Sequence, residues 1–226
     1  VPDLSAGPVT FQVTLANRSA TAVTSDVTVT VYELGIYTDG VADRSPCQVA
    51  AYCLRGATVS ADGTVVLTTD PITLSGFGKD KYWSPDSPFL YMAEIRTSGD
   101  TYTTRFGMRT FGFDDRGNAL LNGEICYLMG TNVAIQRFFD DPLCGNNPWD
   151  AAWIRKLYSE YKECGWFCFR THLGGANSKW FDLADEMGFL IFDEYPNWGD
   201  SDGCTAQTIM PEIYAWIEAR GNHPSL

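Results

Sequence analysis

The sequence predicts a multi-domain fold of the β plus α/β class: an antiparallel β-sandwich over residues 1–110, then parallel βα units over residues 111–226. Three observations predict it. Short period-two runs, separated by Gly, Pro, Asp and Ser, fill the first half. The periodicity changes near Thr110. Beyond that point, apolar runs alternate with helix-punctuated segments three times.

In the first half, Phe11, Val13 and Leu15 share one face of an extended segment, with Gln12 and Thr14 on the other. Val27, Val29 and Val31 repeat the pattern against Thr28, Thr30 and Tyr32, and residues 65–69, 90–95 and 102–108 continue it. No helical stretch interrupts these runs, which read as a sandwich. In the second half, Asn122-Gly123 between short apolar runs predicts a hairpin, because both residues tolerate positive φ. Residues 125–129 form an apolar run read as the first parallel strand. A polar loop follows, then a helix capped by Asn147, with Pro148 at its first position and Gly165 at its exit. Trp153, Leu157 and Tyr161, with Ile154 and Tyr158, give that helix one apolar stripe. The second strand is expected at 166–169 and the second helix at 179–187, closed by Gly188. The third strand, at 189–192, is an apolar run expected to be buried on both faces. A third helix at 211–220 carries Ile213, Trp216 and Ile217 and ends at Gly221.

Composition narrows the function classes. With 45% hydrophobic and 19% charged residues, the chain is globular rather than disordered. A net charge of −12 repels phosphate backbones, so no nucleic-acid partner is expected. No apolar run approaches the roughly 18 residues that cross a bilayer, and no membrane association is expected. The chain opens on Val1, which points to processing, trimming or excision from something longer. Seven cysteines, without a CxxC pair or a Cys/His cluster, predict neither a metal site nor a cofactor. Cys47 with Cys53, and Cys144 with Cys204, are candidate disulfide pairs, whereas Cys126 and Cys168 read as buried free thiols. An extracellular or periplasmic origin is consistent with this count, and the compartment stays open.

Six segments, in order, resemble one family. Tyr82-Trp83-Ser84-Pro85-Asp86-Ser87-Pro88-Phe89-Leu90-Tyr91 is similar to the W-x-P-x-x-P-x-L-Y segment of glycoside hydrolase family 2, the β-galactosidase, β-glucuronidase and β-mannosidase family. Arg105-Phe106-Gly107-Met108-Arg109 resembles its R-x-G-x-R strand, and Leu121-Asn122-Gly123 with Gly130-Thr131-Asn132 resembles its L-N-G and G-x-N elements. Arg170-Thr171-His172, Asp185-Glu186-Met187-Gly188 with Asp193-Glu194, and Asn222-His223-Pro224-Ser225 complete the set. The resemblance implies an immunoglobulin-like sandwich followed by the first three βα units of a catalytic TIM (β/α)8 barrel. It also implies that both catalytic glutamates lie beyond Leu226, so no catalytic residue is assigned and this chain by itself is expected to be inactive.

What these residues can supply is part of a sugar pocket, because barrel enzymes work at the C-terminal ends of their strands. Asn132, Arg170, His172, Asp193 and Glu194 fall there, and Trp198 offers an apolar face for a sugar ring. Each has a plainer role open to it. Asn132 could hold the loop, Arg170 could pair with Asp193, His172 could make a structural hydrogen bond, and Trp198 could pack in the core or at its rim. His223 reads as structural. Asp193 and Glu194 are adjacent on a strand, point to opposite faces and cannot flank one bond. Asp140, Asp141 and Asp150 read as loop or capping charges. The expected partners are a carbohydrate substrate and either the remainder of a parent chain or a second copy. The rival readings are a non-catalytic carbohydrate-binding protein and a structural immunoglobulin-like module.

Overall fold

The structure, a computed structural model, describes residues 8–197 and 205–226. Its strands in the first half are β1 (Pro8–Val9), β2 (Gln12–Ala16), β3 (Val23–Gly35), β4 (Tyr37–Thr38), β5 (Val41–Ala42), β6 (Cys47–Val59), β7 (Thr64–Thr68), β8 (Ile72–Thr73), β9 (Leu90–Arg96) and β10 (Thr101–Phe106). A four-stranded antiparallel sheet runs in the order β10-β9-β3-β6, while β2 pairs with β7 and β1 with β8. The alternation predicted for residues 27–31 is realised: Val27, Val29 and Val31 are fully buried and share one apolar cluster with Tyr91, Ala93, Phe11, Val13 and Leu15. The two layers therefore meet on the residues that period two assigned to the inside. Burying each valine contributes about 1.5–3 kcal/mol.

Strand β6 has no counterpart among the strands expected from sequence. Its residues 49–54 do not alternate, and its pairing with β3 is offset by irregularities between Ser25 and Val27 and between Val31 and Tyr32. Cys47 and Cys53 lie on this one strand as free thiols, which corrects the expected pairing. Six extended residues separate them by about 20 Å, far beyond the roughly 7 Å that a disulfide spans. Cys144 is free, and Cys204 lies outside the described residues.

The second half contains β11 (Phe111–Phe113), β12 (Ala119–Leu121), β13 (Glu124–Ile125), β14 (Gly130–Val133), β15 (Cys168–Thr171) and β16 (Leu190–Asp193), with helices α1 (Ile135–Asp140), α2 (Ala151–Glu163), α3 (Ser178–Met187) and α4 (Ala206–Arg220). The expected hairpin joins β12 to β13, with φ of 54° at Asn122 and 84° at Gly123. Strands β14, β15 and β16 are parallel neighbours in that order. Each begins later than its apolar run, and β14 by five residues, because each extends into polar residues: Asn132, Arg170-Thr171 and Asp193. The sheet is not buried on both faces. Val133, Phe169 and Ile191 pack under α2 and α3, whereas Asn132, Arg170 and Phe192 on the other face are exposed.

The helices differ from expectation at their starts. Asn147-Pro148 opens a short 3-10 turn, and Asp150 caps α2 by accepting from the Trp153 N–H at 2.8 Å. Thr205 and Thr208 cap α4 reciprocally, so that helix begins before Pro211 and contains it. The six-residue α1 falls where a polar loop was expected, and no side chain caps it. Helix α3 ends as expected at Gly188, whose φ of 70° and closeness to the Pro85 carbonyl exclude a side chain: a Cβ there would lie 2.3 Å from that oxygen.

One side of α3 faces the sandwich. The fully buried Trp83 donates its indole N–H to the Asp185 carbonyl at 2.9 Å, and Asn122 Nδ2 donates to the Trp83 carbonyl at 3.0 Å. Arg105 on β10 pairs with Asp182 at 2.9 Å and with Glu186, which also takes Arg155 of α2. Arg109 donates to the carbonyls of Pro224 and Leu226. That terminal segment lies along the free edge of β16, where Ile191 N–H donates to the Ser225 carbonyl at 2.7 Å.

Two outcomes follow from this junction. Trp83→Phe keeps most of the ring volume but leaves the Asp185 carbonyl without its indole donor. It is expected to lower stability by about 1–3 kcal/mol, and Trp83→Ala by about 3–5 kcal/mol, both read from urea midpoints. Residues 111–226 expressed without the sandwich lose Arg105 and Trp83 while still exposing the Asn132–Arg170–Phe192 face, and are expected to aggregate. A sharp, reversible, monomeric unfolding transition of that segment would contradict the second expectation.

Candidate functional site

The C-terminal ends of the three parallel strands bring a set of polar side chains together on the exposed face. Register sets Asn132 beside Arg170, so the two project to the same side. The Arg170 guanidinium forks: Nη1 donates to Asn132 Oδ1 at 3.3 Å and Nη2 to Glu194 Oε1 at 2.6 Å. The second carboxylate oxygen of Glu194 accepts from the Leu173 N–H at 2.8 Å, and His172 Nδ1 stands 3.6 Å from it. The Leu173 N–H, then Arg170 and His172, hold the Glu194 carboxyl below its usual range. Glu194 is therefore an ionised acceptor near neutral pH and is unsuited to donate a proton.

The loop after β15 is shaped for this contact. Leu173, Gly174 and Gly175 adopt φ of 59°, 71° and 92° in succession. For leucine the left-handed conformation costs about 1–2 kcal/mol, and here it turns the Leu173 N–H onto Glu194.

Asp193 is turned the other way. Its side chain is 1% exposed, accepts from Thr171 Oγ1 at 2.8 Å and pairs with Arg220 Nε of α4 at 3.0 Å. Burial pushes its carboxyl up, and Thr171 and Arg220 oppose that shift. The expected pairing of Asp193 with Arg170 is thus corrected: alternation along β16 sends Asp193 to the helices and Glu194 to Arg170. Trp198 lies outside the described residues. His223 matches its structural reading, with Nδ1 2.6 Å from Asp185 Oδ2 and its ring against Phe181. Asp150 caps α2 and Asp141 accepts from the Leu143 N–H, so both serve local structure.

Sequence reasoning did not single out Phe192. Register sets it beside Arg170, 40% exposed, and it lines a shallow recess of about 310 Å³ with Leu128, Asn132, Cys168 and Arg170. The signal available was its place two residues before Glu194, on the same face of the strand. Burial pushes the Cys168 thiol up to about 11, so it stays protonated in the recess wall. A recess with a forked cation, an amide and an apolar ring, its cation paired with the adjoining Glu194, suits a hydroxyl-rich ligand with one apolar face. Asp182, Asp185 and His223 also lie within ligand distance of one another. Arg105 already neutralises Asp182, and Asp185 accepts from Ser225 and contacts His223, so this group fits structural pairing better than a cation.

The chain resembles known proteins in sequence and in fold. The family model for glycosyl hydrolases family 2 matches residues 1–109. A β-galactosidase of Thermoanaerobacter pseudethanolicus is 31% identical over 150 residues, covering 64% of this chain and 20% of that protein. The solved structure of a Bacteroides uniformis β-glucuronidase superposes with a TM-score of 0.74 at 19% identity, over 96% of this chain and 25% of that one. A β-galacturonidase of Eisenbergiella tayi superposes at 0.73 over 96% of this chain and 37% of its own, also at 19% identity. The structural likeness speaks for the fold, and the chain spans 15–20% of the length of the curated relatives it matches. Taken with the ordered motifs from Tyr82 to Ser225, these matches show that the chain is similar to the glycoside hydrolases of family 2, whose model matches its first 109 residues.

Proposed function

We propose that this chain is part of a retaining glycoside hydrolase acting on a terminal β-linked sugar, and that Asn132, Arg170, His172 and Glu194 form one wall of its sugar pocket. In this reading, residues 1–110 are an immunoglobulin-like sandwich and residues 111–226 are the first βα units of a (β/α)8 barrel. The observation that carries it is the Asn132–Arg170–Glu194 array at the C-terminal ends of three parallel strands. That is where barrel enzymes hold their substrates.

Retaining hydrolysis needs two carboxylates roughly 5–5.5 Å apart, one protonated and one ionised. Asp193 and Glu194 face opposite sides of β16, and Glu194 is held ionised, which argues against either as the acid. As the resemblance implies, both catalytic glutamates are assigned to sequence outside residues 1–226. Within the wall, Asn132 and Arg170 would donate to sugar hydroxyls, Glu194 would accept from one, and Phe192 would meet an apolar sugar face.

A panel of aryl β-glycosides, offered to this chain and to a full-length parent enzyme side by side, tests the assignment. The parent is expected to turn over at least one glycoside and this chain none. Turnover by this chain alone would put the catalytic carboxylates among its own residues. In the parent, Arg170→Ala is expected to lower kcat/KM about 10- to 100-fold through loss of charge-assisted hydrogen bonds. Arg170→Lys should recover only part of that, because an ammonium cannot fork between Asn132 and Glu194. Parental kcat/KM in the alanine variant would contradict a pocket role.

A further inference from the structure

Between the two faces of the parallel sheet stands one hydroxyl. Thr171 is fully buried at the last position of β15, opposite Asp193 in register. Its Oγ1 donates to Asp193 Oδ1 at 2.8 Å and accepts from the Glu194 N–H at 2.9 Å. A hydroxyl has one proton to give; the Asp193 carboxylate takes it at 2.8 Å, closer than the Phe192 carbonyl at 3.5 Å, and the Glu194 N–H can only donate, which fixes the direction of both short bonds. Glu194 follows directly after β16, where the chain has left β15: the Thr171 carbonyl already accepts from the Gly174 N–H at 3.4 Å, and Leu173 is left-handed. The Thr171 side chain stands in for the strand partner that the Glu194 N–H would otherwise lack. Asp193 is itself held from outside, by Arg220, whose guanidinium lies over Phe181 and Trp216 and donates to the Ala176 carbonyl at 3.3 Å.

We propose that Thr171 is a positioning residue of the sugar pocket: its buried hydroxyl pins the Glu194 backbone, and through the Glu194 carboxylate it sets the Arg170 guanidinium. The inference rests on the pocket reading above. It adds that the pocket is braced from the helix side, through Arg220, Asp193 and Thr171 in turn. Threonine suits the task because its branched Cβ restricts χ1 and so holds Oγ1 in one direction. Valine keeps that shape and removes the hydroxyl, while serine keeps the hydroxyl and removes a methyl.

The test is a double-mutant cycle in the full-length parent enzyme, reading kcat/KM on the preferred aryl glycoside with thermal unfolding as a control for folding. Thr171→Val is expected to lower kcat/KM about 10- to 100-fold, as loss of an orienting partner does. Thr171→Ser should stay within about threefold, and Thr171→Val placed in a Glu194→Gln background should cost less than about threefold more. Thr171→Ala reads the same cycle if the valine variant is unstable. An undiminished valine effect in the Glu194→Gln background overturns the proposal, since Thr171 would then act other than through Glu194. If Glu194→Gln impairs turnover and Thr171→Val does not, this inference alone falls. If Glu194→Gln leaves turnover intact, the pocket reading falls with it.

Discussion

One buried carboxylate ties the parts of this chain together. The side chain of Asp185, in the last turn of α3, has no exposed surface. A carboxylate in that position costs several kcal/mol unless its oxygens are satisfied. Ser225 N–H supplies Oδ1 at 3.1 Å and His223 Nδ1 meets Oδ2 at 2.6 Å, while Trp83 takes the backbone carbonyl of the same residue. Burial still pushes the Asp185 carboxyl up, against the pull of His223 and Ser225. Three remote pieces of chain thus converge on one residue: the sandwich through Trp83, the sheet-covering helix itself, and the terminal segment that lies along β16. Asp182, one turn earlier, and Glu186, the next residue, carry the same helix onto Arg105 and Arg155.

From that junction outward, the exposed polar array follows from alternation. With α2 and α3 fixed on one face of the parallel sheet, Val133, Phe169 and Ile191 must lie beneath them and Asn132, Arg170 and Phe192 must project away. The change of side between Asp193 and Glu194 then gives one acidic pair two tasks. Asp193 anchors α4 through Arg220, and Glu194 neutralises Arg170. The left-handed Leu173 stores a small strain in the adjoining loop, held by its bond to Glu194.

Much of the fold was legible in the sequence because burial follows periodicity. The valines of β3, the Asn-Gly turn and the Gly188 stop each rest on a local rule that tertiary context did not override. The three parallel strands were misplaced toward their N-terminal sides because their C-terminal residues, Asn132, Arg170-Thr171 and Asp193, are polar, so hydrophobicity marks only their first halves. Strand β6 was hidden because it lies at the sheet edge, where one face stays wet and its pairing is irregular. Helix α1 carries neither cap nor length, and the α4 start lay in a threonine pair rather than at the conspicuous proline. At the site, Asn132, Arg170, His172 and Glu194 could be named from their places along the chain. The partners within the set could not, since the choice of Glu194 over Asp193 for Arg170 depends on the register of β16. Thr171 was hidden for the same reason, because a lone threonine at a strand end carries no signal until both neighbours across the ladder are known.

The most direct test of Asp185 as the common anchor is amide hydrogen exchange, segment by segment, in the Asp185→Ala variant against the parental sequence. The account predicts that protection falls together in α3, at Ile191 in β16, in residues 221–226 and around Trp83, while β3 and β9 keep theirs. Loss of protection confined to α3, with Ile191 and the terminal segment unchanged, would contradict it.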